Sequence, residues 1–421
     1  MNTGDTAWLL VSAALVLFMT VGLAFFYGGL EPRRNVLHML MMNFFSIALV
    51  SVTWALVGFS LAFGPGVGHG FIGNLHYAFL MHMGGVWPGT HIPKLVFMAF
   101  QMMFAIITPA LVSGAIAGRV KFSAWISFVV AWSVIVYPLL AHWLFDPSGW
   151  LYRLGARDFA GGAVVHASAG TAAVIFVLML GPRIKRSREH YAPHSVPLVL
   201  LGAGILWFGW FGFNAGSALS SGQLAANAFV ATQLAAAGAS IVWALLERAV
   251  TGKVTVVGIA TGGVVGLATI TPASGYVGPM PALLIGVLAA IVSFSAAQGL
   301  MHWKRFDDAF GVFACHGVGG TFGMLMVGVF ADYRSNPIGL LRTDGAQING
   351  LIFGHWGLLG DQVVAVLAVI AFTAIVTFII LSVIRAVSGL RVPENVEVGA
   401  EGLNMEFDEL AYEPEDLLDL G

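Results

Sequence analysis

Apolar stretches of roughly twenty residues, each long enough as a helix to cross the hydrocarbon core of a bilayer, recur along nearly the whole chain. They fall at 7–30, 37–63, 94–117, 122–145, 160–181, 196–217, 226–247, 254–272, 281–300, 309–331 and 361–387. This pattern predicts an all-α polytopic membrane protein with eleven transmembrane helices. After Arg391 the chain turns polar and acidic, with Glu394, Glu397, Glu401, Glu406, Asp408, Glu409, Glu413, Glu415, Asp416 and Asp419 facing almost no basic residues. Residues 1–391 are therefore expected to form the membrane domain and 392–421 a cytoplasmic acidic tail, either a solvated extension or a docking segment.

Composition agrees with the pattern. Hydrophobic residues make up 58% of the 421 and charged residues 10%, with a mean hydropathy of +0.87, too apolar for one soluble core. An odd number of crossings puts the termini on opposite sides. Of the 19 Lys and Arg, only Lys94, Arg153, Arg157, Arg334 and Arg342 lie in one set of alternate loops; the other set and the last helix end hold the remaining 14. The positive-inside bias then places the N-terminus outside and the C-terminus in the cytoplasm of a cell membrane. Six residues precede the first span and carry no basic n-region, so no cleaved signal peptide is expected. The single cysteine, Cys315, excludes an intrachain disulfide and any cysteine metal cluster.

One stretch occurs twice. "DFAGGAVVHASAGT" begins at Asp158 and "DAFGVFACHGVGGT" at Asp308, and an ungapped overlay matches Asp158/Asp308, Gly161/Gly311, His166/His316, Gly170/Gly320 and Thr171/Thr321. Among 53 glycines the Gly matches carry little weight; with 12 histidines in the chain, a His in register twice points to duplication. The two stretches open helices five and ten, so helices 1–5 and 6–10 form two halves. Because five is odd, the second half enters the membrane inverted, as in transporters that build a pathway between halves, and the eleventh helix lies outside the repeat. The pseudo-two-fold brings His166 and His316 together inside the hydrocarbon, where ionisable groups are functional by default. The competing reading is a pair that merely bonds two helices together. Asp158 and Asp308 stand at helix starts, where capping is expected of both.

The stretch "LWFGWFGFNAGSA" sets Trp207, Phe208, Trp210, Phe211 and Phe213 in helix six, and "FQMMF" sets Phe100 and Phe104 one turn apart in helix three. Such stripes are either packing and interfacial belts or a cation–π site worth about 0.5–2 kcal/mol. Asn214 and Ser217 beside them supply hydrogen-bond groups that packing does not require.

Together, "ALVLFMTVGLAFFYGGL", "FQMMFAIITPALVSGA", "ARDFAGGAVVH", "GWFGFNAGS", "ATGGVVGLATITPASG", "FACHGVGG" and "GLRVPENVEVGAEGLN" resemble the Amt/Mep/Rh ammonium transporter family, in its Amt/Mep branch, over almost the whole chain. The resemblance implies eleven helices in two inverted halves plus one, a homotrimer with a pore in each subunit, and a transport protein rather than an enzyme, without cofactor or metal. Ammonium, ammonia and methylammonium are the implied cargo, the lipid bilayer the surroundings, and a PII-class signalling protein a possible partner at the cytoplasmic face. No nucleic-acid partner is expected. By motif, Phe100 and Ser217 correspond to an external recruitment site with Asp158 behind it, Phe104 and Phe213 to a stacked gate, and His166 and His316 to twin pore histidines. Trp210 and Thr271 correspond to pore-lining neighbours and Phe26 and Tyr27 to the aromatic pair of the first helix.

The sequence departs from the family twice. Where a tryptophan usually covers the recruitment site, "LAHWLFDPSGW" aligns Phe145, with Trp143 and Trp150 as alternatives under a gap, and Gly311 stands where a second acid is common. Desolvating a bare cation in such a pore costs tens of kcal/mol before compensation, whereas neutral ammonia crosses at little cost. A neutral histidine pair, one ring donating and one accepting, then bonds ammonia or relays its proton. A bis-histidine haem protein, a flux-free receptor and a water or polyol channel are the competing classes.

Overall fold

The computed structural model describes residues 1–184, 192–342, 345–399, 402–407 and 411–412. The basic residues Lys185, Arg186 and Arg188 and the acidic Glu401, Asp408, Glu409, Glu413, Glu415, Asp416 and Asp419 lie outside them. Among the described residues ten helices are long and apolar enough to span a membrane. They are α1 (Thr3–Leu30), α2 (Arg33–Phe63), α3 (Lys94–Val112), α4 (Phe122–Leu154), α5 (Gly162–Leu180), α6 (Val196–Gly216), α7 (Gln223–Thr251), α9 (Pro279–Met301), α10 (Phe313–Phe330) and α11 (Gly357–Val387). The stretch expected at 254–272 is a shorter apolar helix, α8 (Val256–Ile270), which continues into tight turns through Tyr276. The only strands among the described residues are a two-residue hairpin, Gly66–Val67 with Ile72–Gly73.

Helix ends follow local chemistry. The Asn2 side chain accepts from the Asp5 N–H to start α1, and Ser195 and Thr255 cap α6 and α8 in the same way. Within α4 the regular helix stops at Ile135 and restarts at Tyr137, just before Pro138. Proline lacks the N–H that would continue the ladder.

A glycine contact at the centre decides where the functional groups meet. A Cβ on Gly170 of α5 would overlap the backbone of Gly317 of α10, so only hydrogen lets these backbones approach so closely. Both helices open alike. Residues Gly162–Ala167 and Phe313–Val318 are π-helical turns, and Gly161 and Gly311 just before them have φ of 119° and 72°, a region that favours glycine. The glycine matches set aside as a product of composition thus mark two left-handed entries, and Gly320 of α10 packs on the Gly162 carbonyl of α5.

At the basic end, the start of the tail straps the helix ends together. The Arg391 guanidinium binds Glu397 at 2.8 Å and the carbonyls of Leu180 and Pro182, while Glu397, fully buried, accepts the Ile184 N–H. Asn404 accepts the Leu37 N–H at the head of α2.

Candidate functional site

The π turns present His166 and His316 to each other across the α5/α10 contact. Asp158 fixes the first: its carboxylate accepts the N–H groups of Gly161, Gly162, Ala163 and Val164 at 2.7–3.1 Å. Asp308 accepts those of Val312 and Phe313 at 3.0 and 2.7 Å. Both acids therefore cap the turn that carries a histidine, satisfying N–H groups that a helix start leaves without partners.

The imidazoles are buried, and their Nδ1 atoms lie 3.2 Å apart. The rings stack at 5.2 Å, and His166 also stacks on Trp210 at 5.5 Å and Phe213 at 5.9 Å. Among the described residues, His166 Nε2 has no hydrogen-bond partner. With the two rings in direct contact there is no room between them for a haem, which removes the bis-histidine cofactor reading.

A cavity of about 440 Å³ opens beside the pair. Its walls include both histidines, Trp210, Phe213, Phe26, Tyr27, Leu111, Phe310 and Cys315, with Arg183 towards the basic end. The wall is mostly apolar, with the two histidines, Arg183 and Thr261 among its polar groups. Tyr27 is held by its hydroxyl on the Leu111 carbonyl at 3.2 Å and by its ring against Phe310 at 5.5 Å. Thr271, expected on the wall, is instead fully buried behind it, where its hydroxyl accepts the Trp210 indole N–H at 2.9 Å. Its position makes it a support for Trp210.

Above the histidines the rings of Phe104 and Phe213 lie 4.2 Å apart, and Phe100 meets Phe104 at 4.9 Å. Phe100 packs against Gly216, the residue before Ser217, and the Ser217 hydroxyl donates to the Phe213 carbonyl at 2.8 Å. Phe100, Ser217, Phe104, Phe213, His166 and His316 therefore form one column. Asn214 is not part of it: this residue is fully buried and donates to Thr232 of α7 at 2.9 Å. Phe208 and Phe211 also point elsewhere, Phe208 exposed and Phe211 stacked on Phe229 at 3.9 Å.

Phe145 is half-buried on the core. Trp143 and Trp150 pair with each other at 5.5 Å, and Trp143 is packed between Phe71 and Phe372 of α11, its indole donating to the Phe71 carbonyl. That engagement commits Trp143 to packing.

At the basic end, where Arg183 lines the cavity, charged groups cluster. Arg183 grips Asp307 through two guanidinium bonds of 2.9 and 2.8 Å. Burial alone would raise the Asp307 carboxyl, but these bonds and the Arg183 charge hold it well below the usual carboxylate range. Glu31, one residue past α1, is 2% exposed, and the Asn35 amide donates to its carboxylate at 3.4 Å. Burial pushes it up to about 7, against the opposing pull of Arg183, Arg119 and Arg34. Nothing in the sequence distinguished Glu31 from a surface acid, since its burial comes from the loops folded over α1.

A bundle of lipid-length helices, enclosing a mostly apolar cavity with one buried imidazole pair and a column of phenylalanines, has the build of a multi-pass membrane transport protein. The Ammonium Transporter Family model matches residues 7–412. An ammonium transporter of Aquifex aeolicus is 45% identical over 400 residues, covering 94% of this chain and 91% of that protein. The crystal structure of Saccharomyces cerevisiae Mep2 superposes with a TM-score of 0.85 at 32% identity, covering 94% of this chain and 91% of that one. A structure described as a sensor Amt protein does so at 0.86 and 30%, covering 96% and 98%. The chain belongs to the ammonium transporter family.

Proposed function

We propose that this protein recruits the ammonium ion at Phe100 and Ser217 and conducts ammonia past Phe104 and Phe213 along His166 and His316, the stripped proton either returning to the external water or passing separately along the histidine pair. A vestibule of aromatic faces attracts a small cation, and Ser217 replaces part of its water shell. Asp158 supports this region through the backbone it caps. Phe145 is the aligned cover of the vestibule, with Trp150 its alternative. Beyond the phenylalanines, charge separates the species: a bare cation faces apolar walls at high desolvation cost, whereas ammonia does not. Potassium, similar in size, has no proton to give up and is excluded by the same cost.

The observation that carries this reading is the 3.2 Å histidine contact on the wall of a mostly apolar cavity, beneath the tilted ring pair of Phe104 and Phe213. A purely structural pair would not need an open cavity beside it. The test is uptake of labelled methylammonium by protein reconstituted in vesicles, with potassium as competitor. Saturable uptake that potassium does not inhibit is expected; binding without flux would make the protein a receptor instead.

The wider arrangement follows as part of the same reading. With α8 as an eleventh crossing, helices α1–α5 and α6–α10 form inverted halves around the histidines and α11 stands outside. The basic end faces the cytoplasm of a cell membrane, the N-terminus lies outside, and three copies assemble with one pore each. Residues 1–391 are the membrane domain. Residues 392–421 are a cytoplasmic segment, strapped down at its start, on a face that a PII-class signalling protein could block. We read the chain as a transporter and not an enzyme.

A further inference from the structure

A second cavity, of about 330 Å³, lies on the far side of the wall formed by Phe310 and Cys315. It is bounded by Trp243 of α7, Thr261 and Val265 of α8, and the last turns of α9. This volume is at the small end of the roughly 300–1,000 Å³ range of ligand pockets. Of the polar groups on its wall, Arg183 and Asp307 grip each other, Asp308 caps α10 and Thr261 donates to the Val257 carbonyl, which leaves the Gln298 amide among apolar side chains. The rest of the space is apolar.

The chain leaving α9 sets a charged mouth beside this space. Phe306, which lines it, stacks on Trp303 at 5.4 Å with nearly parallel planes. Trp303 is 48% exposed, and His302, Lys304 and Arg305 around it are exposed too. An exposed tryptophan next to two basic residues at the end of a span is the composition of a membrane interface. It sits at the basic end of the bundle, the end that anionic lipids favour.

We propose that this side cavity seats the acyl chain of an anionic phospholipid whose phosphate rests on Lys304 and Arg305. The apolar space takes hydrocarbon, the two cations take the negative headgroup, and Trp303 stands at the boundary between them. Because Phe310 and Cys315 border both cavities, an acyl chain here backs the wall that carries His316.

The test titrates the purified full-length protein with fluorescent phosphatidylglycerol and, separately, phosphatidylcholine of the same chains. Each basic residue near an anionic headgroup contributes about fivefold, so phosphatidylglycerol is expected to bind about 25-fold more tightly, and Lys304→Gln with Arg305→Gln to abolish the preference. Ala297→Phe, which fills the cavity, should weaken both lipids, with Ala297→Leu as a smaller filler if the first variant does not fold. Glycerol phosphate, which has the headgroup charge and no chain, should fail to compete. Equal binding of the two lipids would overturn the proposal. So would unchanged binding in a folded Ala297 variant, which would mean surface charge alone, or full competition by glycerol phosphate, which would mean a free-phosphate site.

Discussion

The Nδ1 atoms of His166 and His316 face each other at 3.2 Å, a contact that holds one proton: one ring donates and the other accepts. Each ring therefore fixes the tautomer and orientation of its partner. Replacing one leaves the other unpaired in a buried site, at a cost of about 1–3 kcal/mol. His166→Ala and His316→Ala should each lose methylammonium flux or its selectivity over potassium, and the double variant should be little worse than the worse single one. Vesicle uptake checks this; additive losses would mean two independent roles.

Phe100 and Ser217 lie above the paired rings of Phe104 and Phe213, so in the proposed scheme they act on the cation before it enters the apolar part of the path. Phe100→Ala or Ser217→Ala should raise the half-saturating concentration more than it lowers maximal uptake. The expected change is severalfold to about thirtyfold, the range of a cation–π contact of about 1–2 kcal/mol. A concentration series of labelled methylammonium separates the two effects.

These residues were legible for different reasons. Lipid-length apolar runs are visible one by one, which is why spans such as α1 and α5 lie within a few residues of their expected ends. The histidines stood out because histidine is scarce. The aromatic stripe of α6 was visible without its direction: Trp210 and Phe213, three apart, border the cavity, while Phe208 and Phe211, also three apart, face away. Spacing gives a shared face and leaves open what that face meets. Thr271 and Asn214 show the same limit, since whether a hydroxyl or amide lines a pore or bonds a neighbouring helix depends on that neighbour's register. The π turns were hidden altogether, because a capping acid and a left-handed glycine look in sequence like any helix start.

Glu31 gives a pH dependence whose sign follows from its burial. Its carboxyl is raised from 4.5 to about 7, so the stabilisation tied to its protonated form is complete below about 4.5 and is lost as pH rises through about 7. Glu31→Gln keeps a neutral amide there at every pH. The variant should match wild type near pH 4 and unfold at a higher temperature at pH 8, by an amount on the order of 1–3 kcal/mol. Thermal unfolding in detergent across this range checks it, and parallel curves for the two proteins would place the Glu31 charge in water.

The closest test of how packing serves the site is Gly170, because its substitution changes no functional group. A Cβ at Gly170 would overlap the Gly317 backbone, and backbone cannot swing aside as the end of a side chain can, so α5 and α10 must part. Overpacking of this kind costs about 1–3 kcal/mol. The parting has a second effect, since Gly317 follows His316 directly: a contact of 3.2 Å between Nδ1 atoms has little slack before it ceases to be a hydrogen bond. Gly170→Ala should therefore lower the unfolding temperature and also impair uptake and potassium exclusion as a histidine variant does, with both histidines present. Gly360→Ala, at an exposed position of α11 where a Cβ meets nothing within 4 Å, is the control and should be neutral or slightly stabilising. A Gly170→Ala protein that is less stable yet transports with wild-type selectivity would separate the helix contact from the histidine pair, and the close approach would then serve folding alone.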